Sequence, residues 1–310
     1  MTSPTASSTR QGRVLLDPWP LDGVHYAYID VEQFFRKLSS IATTFEDESR
    51  ANGPWILFTD VDEQAFDAIQ NSDSELSHSC AKIYDPNNCI LWVKMESVFH
   101  GTAAMGITRW MENKITEMQL NSEVLFTGAT NYEIEILDEA GNQCVDDNGS
   151  VMVRRKRADQ TVHPFSVPPP RTMQWPSLIL ETSYTEPRRH IMEELRLWLL
   201  ASNNEVKFAM AAFVNQRRQN ISIEQWELID RPTETVQHRY TLNKVQGISV
   251  EKPKDGQTPI VRGRFEIPFS SIFLRDPQNN ETNLVMTKED IIQIARQVWA
   301  VNSIMIARGH

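Results

Sequence analysis

The stretch Arg154-Arg155-Lys156-Arg157-Ala158-Asp159-Gln160-Thr161-Val162 decides how this chain is read. It has the look of a short strand carrying an acid. A second stretch, Trp175-Pro176-Ser177-Leu178-Ile179-Leu180-Glu181, reads as a strand that closes on another. The link between them holds Pro164, Pro168, Pro169 and Pro170 and cannot be helix, because proline lacks the amide donor and clashes with the preceding turn. Neighbouring strands of this kind would set Asp159 beside Glu181. Hard divalent cations need oxygen ligands, and Mg²⁺ is commonly held by one or two carboxylates. Such an ion polarises a phosphoryl oxygen and activates a bound water, the chemistry of phosphodiester hydrolysis. Acids at strand ends are also often merely solvated, so the choice turns on the elements around them.

Working outward, apolar residues from Lys94 to Met118 (Met95, Val98, Phe99, Ala103, Ile107, Trp110, Met111, Ile115) recur at the spacing of a helix with one buried face. Glu96 and His100, four apart, would share a neighbouring face of it. Ser122 to Phe126 and Tyr132 to Leu137 read as hairpin-like strands, with Gly128 and Asn131 as turn residues. After Glu181, the spacing predicts a helix over Glu186 to Ala201, a strand over Val206 to Val214 and another over Ile221 to Leu228. Ile248 to Val250 and Val261 to Ile267 form a candidate hairpin, Ser271 to Leu274 a strand or turn. Thr287 and Asp290 make a capping box for a helix over Lys288 to Trp299.

The N-terminal part is less legible. Residues 1–15 read as a disordered tail, and 16–90 as an extension or cap on a domain spanning 91–310. Val31 to Ile41 and Val61 to Ile69 are candidate helices, and Trp55 to Asp60 is a strand. Asp60-Val61-Asp62 superficially matches a phosphatase nucleophile motif, but Gln64 stands where a small hydroxyl or branched residue belongs.

Composition narrows the classes. At 310 residues and 40% hydrophobic content the chain can bury a sizeable core. Cys80, Cys89 and Cys144 give no C-x-x-C pair and an odd count, so neither a zinc site nor a disulfide framework is expected. No run approaches the ~18 apolar residues of a membrane span, and the N-terminus lacks a signal-peptide core, so the expected location is intracellular, cytoplasm or nucleus, with no membrane partner. Lys plus Arg is 31 against 41 for Asp plus Glu, a net charge of −10 that argues against a broad nucleic-acid-binding face. The basic residues are clustered, however. Arg155 and Arg157 beside Asp159, with Arg188, His100 and His163, are the candidate phosphate or nucleic-acid contacts. His190 is placed on the surface of its helix.

The Lys156–Asp159 segment (K-x-A-D, followed by His163-Pro164), the Pro176–Glu181 strand, and the run Trp198-Leu199 through Ser202 to Val206-Lys207 together resemble fungal proteins of the PD-(D/E)XK nuclease-like superfamily. The Gly263 to Phe273 stretch and the terminal helix are similar to the tail of the same group. The resemblance covers Lys94 to Trp299. It implies an α/β (α+β) fold, a restriction-endonuclease-like mixed central sheet flanked by helices. It also implies an Mg²⁺- or Mn²⁺-dependent nuclease acting on nucleic acid. Asp159 and Glu181 would hold the metal, and Glu96 would approach it from the first helix. The lysine expected two residues after Glu181 is replaced by Ser183, and Lys207 is the substitute placed best, since a cation there would stabilise the transition state. Two alternatives stay open: a catalytically inactive nuclease fold serving as a binding or scaffold module, and another metal-assisted hydrolase. Nucleases that cut both strands often act as dimers, but no self-complementary apolar stripe marks an interface.

Overall fold

The computed structural model describes residues 24–45, 55–74, 76, 80–95, 97–128, 130–138, 140–146, 148–184, 187–215, 218–232, 239–253 and 257–307. The expected tail at 1–15, and with it Glu96, lies outside them. The chain is a mixed α+β protein built on two mixed sheets. Its described strands are β1 (Val24–Ala27), β2 (Trp55–Thr59), β3 (Cys80–Asp85), β4 (Ile90–Met95), β5 (Val124–Phe126), β6 (Tyr132–Glu135), β7 (Val153–Lys156), β8 (Gln160–Pro164), β9 (Leu178–Ser183), β10 (Phe208–Asn215), β11 (Asn220–Asp230), β12 (Tyr240–Glu251), β13 (Ile260–Ile267) and β14 (Leu284–Met286). The helices are α1 (Val31–Phe45), α2 (Glu63–Gln70), α3 (Val98–Glu117), α4 (Arg188–Ala201), α5 (Phe269–Phe273) and α6 (Lys288–Ala307).

The smaller sheet runs β1-β2-β4-β3-β7-β6 and the larger β14-β13-β12-β11-β10-β9-β8-β5. In the larger sheet β9 and β10 are parallel and joined through α4, while β8 and β9 are antiparallel. The β9 sequence explains its central place. Leu178 and Leu180 face one core with Phe99, Ile107 and Met111 of α3 and Ile291 and Ala295 of α6. Ile179 faces another with Ile191, Leu195 and Trp198 of α4. A strand apolar on both faces must be covered on both, and these helices supply the two layers. The smaller sheet has its own core, where Phe34 and Leu38 of α1 and Phe66 and Ile69 of α2 pack on Ile56, Phe58 and Val93.

Several expectations change here. The nine-residue stretch around Asp159 is not one strand: β7 ends at Lys156 in the smaller sheet, and β8 begins at Gln160 in the larger. Asp159 therefore sits where the chain crosses between sheets. The strands after α3 do not pair with each other. β5 pairs with β8 and β6 with β7, because Val124 feeds the core under α3 whereas Tyr132 and Ile134 feed the one under α4. Lys94 and Met95 belong to β4, not to the following helix, since the Ile90–Met95 run pairs with β2 and β3. Helix α3 starts after Ser97, whose side chain accepts a hydrogen bond from the His100 amide at 3.1 Å. The boundary expected at 90/91 consequently falls inside the β3–β4 hairpin, and β6 and β7 from further along the chain complete the sheet of the supposed extension.

Other elements fall where the pattern placed them. Thr287 and Asp290 form the reciprocal box at the start of α6, with Asp290 N donating to Thr287 Oγ1 at 3.1 Å and Thr287 N to Asp290 Oδ2 at 2.8 Å. β12 and β13 pair antiparallel as the C-terminal hairpin. Residues 271–274 instead contribute to the short α5 and its left-handed end at Leu274. Asp60-Val61-Asp62 does ordinary structural work: Asp62 caps α2 by accepting from the Ala65 amide at 2.7 Å. Among the described residues, no helix is long and apolar enough to cross a membrane.

Candidate functional site

The two acids singled out by the sequence do meet other ionisable groups, in the junction between the sheets. Glu181 is near the end of β9, 1% exposed, and its Oε1 accepts from Lys156 Nζ at 2.8 Å and from Trp198 Nε1 at 2.7 Å. Lys156, the last residue of β7, also lies 3.3 Å from Glu194 Oε2 of α4. Asp159 Oδ2 accepts from the Thr182 amide at 2.5 Å and lies 3.0 Å from His100 Nε2 in the first turn of α3. Lys94, in β4, donates to the Thr182 carbonyl at 3.2 Å and acts electrostatically on Asp159, Glu181 and Glu194. Six ionisable side chains from both sheets and two helices thus share one interior site, and all are buried.

Burial pushes each acid towards its neutral form, and the neighbours decide the outcome. His100, Lys94 and the Thr182 amide overcome desolvation at Asp159 and hold its carboxyl far below the usual range, so it is ionised. At Glu181 desolvation wins, with Glu194 and Asp159 adding to it against Lys156 and Lys94, and the carboxyl is raised well above its ordinary value. Glu194 is lowered: desolvation is outweighed by Lys156, Lys94 and a hydrogen bond from Glu181. Lys156 stays charged, because Glu181 and Glu194 outweigh its own desolvation. Glu181 Oε1 accepts from both Lys156 and Trp198, and the two glutamates titrate as an interacting pair, Glu181 raised and Glu194 lowered.

The acids are already matched by cations and donors of the chain: Lys156 stands against Glu181 and Glu194, and His100, Lys94 and the Thr182 amide stand against Asp159. A divalent metal fits this arrangement poorly, since it would add positive charge to a buried site whose acids already have cationic neighbours. Among the described residues, no group of three or more His, Cys, Asp or Glu side chains is placed to hold a metal ion.

The remaining sequence-based candidates are scattered. Lys207 does not reach the acids. It is exposed, its amide bonds to the Ser177 carbonyl at 2.8 Å, and it precedes β10 at the end away from Ala211, the residue level with Glu181. Four residues of strand separate it from that level, about 13 Å at ~3.3 Å per residue. The lysine beside Glu181 is Lys156, which the reading of β7 and β8 as one strand hid. Glu194 and Lys94 were missed for a similar reason: both lie in ordinary-looking apolar periodicities, and only tertiary packing turns them inward. Arg155 is paired with Glu63 at 2.7 Å and Glu133 at 3.0 Å. Arg157 reaches the Cys80 carbonyl at 3.4 Å, and Arg188 pairs with Glu224 while lying 4.1 Å from the Phe213 ring centroid. His163 is buried with Nε2 bonded to Tyr132 Oη at 2.6 Å, and His190, expected at the surface, is 4% exposed. The basic run beside Asp159 is therefore committed to protein partners.

No family model and no curated protein matches the chain.

Proposed function

We propose that the larger sheet with its helices is a restriction-endonuclease-like, PD-(D/E)XK core whose acidic pair closes an internal ion network, and that the protein works as a catalytically silent binding or scaffold module. The order β5-β8-β9-β10, with a parallel β9–β10 pair linked through α4, is compatible with that core. The observation that carries the silent reading is the internally paired, buried state of Asp159 and Glu181 among Lys94, Lys156, His100 and Glu194. A catalytic pair for a polymeric substrate needs its oxygens open to water and to a phosphodiester. The acidic balance and the internal pairing of Arg155, Arg157 and Arg188 support the same conclusion, since phosphate contacts need cations free to meet them.

One observation favours a second reading, a divalent-metal-dependent nuclease or other hydrolase. Lys156 stands 2.8 Å from Glu181, so a lysine is beside the acid pair despite Ser183. Incubation of the full chain with supercoiled DNA and with single-stranded RNA, in Mg²⁺ or Mn²⁺, separates the two. No cleavage above an Asp159→Ala control is expected. Metal-dependent cleavage abolished by Asp159→Ala and by Lys156→Ala, with both variants still folded, would establish the hydrolase instead.

A further inference from the structure

Beside Tyr132, which packs edge-on against Trp198, a cavity of about 510 Å³ opens between β5, β6 and β8 and the loop before β9. Its volume is that of a small-molecule site. The floor is aromatic: Tyr132, His163 and Trp175 line it, each less than a tenth exposed. The Tyr132 and His163 ring planes differ by 4°, with centroids 6.1 Å apart and a 2.6 Å bond from Oη to Nε2. That bond fixes the geometry. Two rings joined through Oη and Nε2 at 2.6 Å, with parallel planes and centroids 6.1 Å apart, lie edge to edge. They form one continuous flat surface. Trp175 is tilted only 11° from Tyr132.

The polar groups around this floor are mainly neutral. Asn131 and Gln174 are exposed amides at the rim, each able to offer a donor and an acceptor side by side. Burial, with Arg171 nearby, lowers His163 below its ordinary value and keeps it uncharged at neutral pH. No lysine or arginine lines the cavity among the described residues, and Glu133, its acid, is committed to Arg155 at 3.0 Å.

We infer that this cavity binds an uncharged planar heteroaromatic ring with a hydrogen-bonding edge, the chemistry of a purine nucleoside. The flat aromatic floor takes the ring face and the Asn131 and Gln174 amides read its edge, as paired donors and acceptors read purines elsewhere. No lysine or arginine among the described residues lines the cavity to receive a phosphate, whereas Glu133 does line it. The inference stands apart from the silent-module reading, because no residue of the cavity belongs to the ion network.

Calorimetric titration of the full chain with adenosine, guanosine and adenosine monophosphate tests it. Saturable binding of at least one nucleoside, tighter than the monophosphate, is expected. Asn131→Ala and Gln174→Ala should each weaken it about tenfold, the effect of one lost hydrogen bond. Both side chains are exposed, so unchanged melting temperatures confirm that the variants remain folded. Absence of saturable nucleoside binding, tighter binding of the monophosphate, or affinity unaltered in both variants would overturn the assignment.

Discussion

Lys156→Met destabilises the protein by about 3–5 kcal/mol, because removing one partner of a buried ion pair leaves the others without compensation. Lys156 contacts both Glu181 and Glu194 directly, at 2.8 and 3.3 Å. Its loss strands a carboxylate charge in the interior. Urea unfolding of wild type and variant at pH 7 measures the difference. The double variant Lys156→Met with Glu194→Leu should recover a large part of it, since it removes the ionised carboxylate together with its lysine, and replacing a buried pair by apolar groups of similar size is often close to neutral. A cost under about 1 kcal/mol for the single variant, the range of surface pairs, would mean that the network contributes little.

The second large effect is a pH dependence with its sign set by Asp159. Its folded carboxyl titrates below the ordinary value of 3.8, held down by His100, Lys94 and the Thr182 amide against desolvation. A lowered acid contributes stability that is fully present above the unfolded value and is lost as pH falls through the folded one. Asp159→Asn keeps the shape and removes the charge. It should cost several kcal/mol at pH 7, where Lys94 then lacks part of its compensation. The gap to wild type should narrow steadily as pH falls below about 3.8. Glu181 works in the opposite sense. Its raised carboxyl contributes stability below its unfolded value of 4.5, which is lost as pH rises through the folded value. Unfolding free energies from pH 2 to 8 for wild type, Asp159→Asn and Glu181→Gln separate the two. A gap for Asp159→Asn that stays constant over that range would show that its ionisation is not what the site stabilises.

The sequence made much of the larger sheet legible, for a physical reason. β9 and β10 carry apolar runs and α4 a clear helical period, and Glu181 stands out against the apolar start of β9. Thr287 and Asp290 mark α6 because a capping box is a local interaction. What sequence could not resolve is where a strand changes sheet. Arg154 to Val162 has one continuous composition, yet Lys156 and Asp159 belong to different structural units. The lysine beside Glu181 was consequently sought downstream, at Lys207, when it lay three residues before Asp159. The pairing of β5 and β6 with different partners was hidden for the same reason, since strand pairing over long separations is fixed by the cores each strand feeds. The opposite shifts of Glu181 and Glu194 and the inward turn of Lys94 are products of tertiary packing alone.

The central claim, that Asp159 and Glu181 serve as an internal lock, is tested most directly by titrating the full chain with Mn²⁺ in a calorimeter, beside the folded Asp159→Ala/Glu181→Ala variant. Mn²⁺ suits the same oxygen ligands as Mg²⁺. The predicted result is that wild type and double variant give the same heat, with no saturable binding attributable to these acids. Saturable binding to the wild type that disappears in the double variant would contradict the lock and make the pair a working metal site.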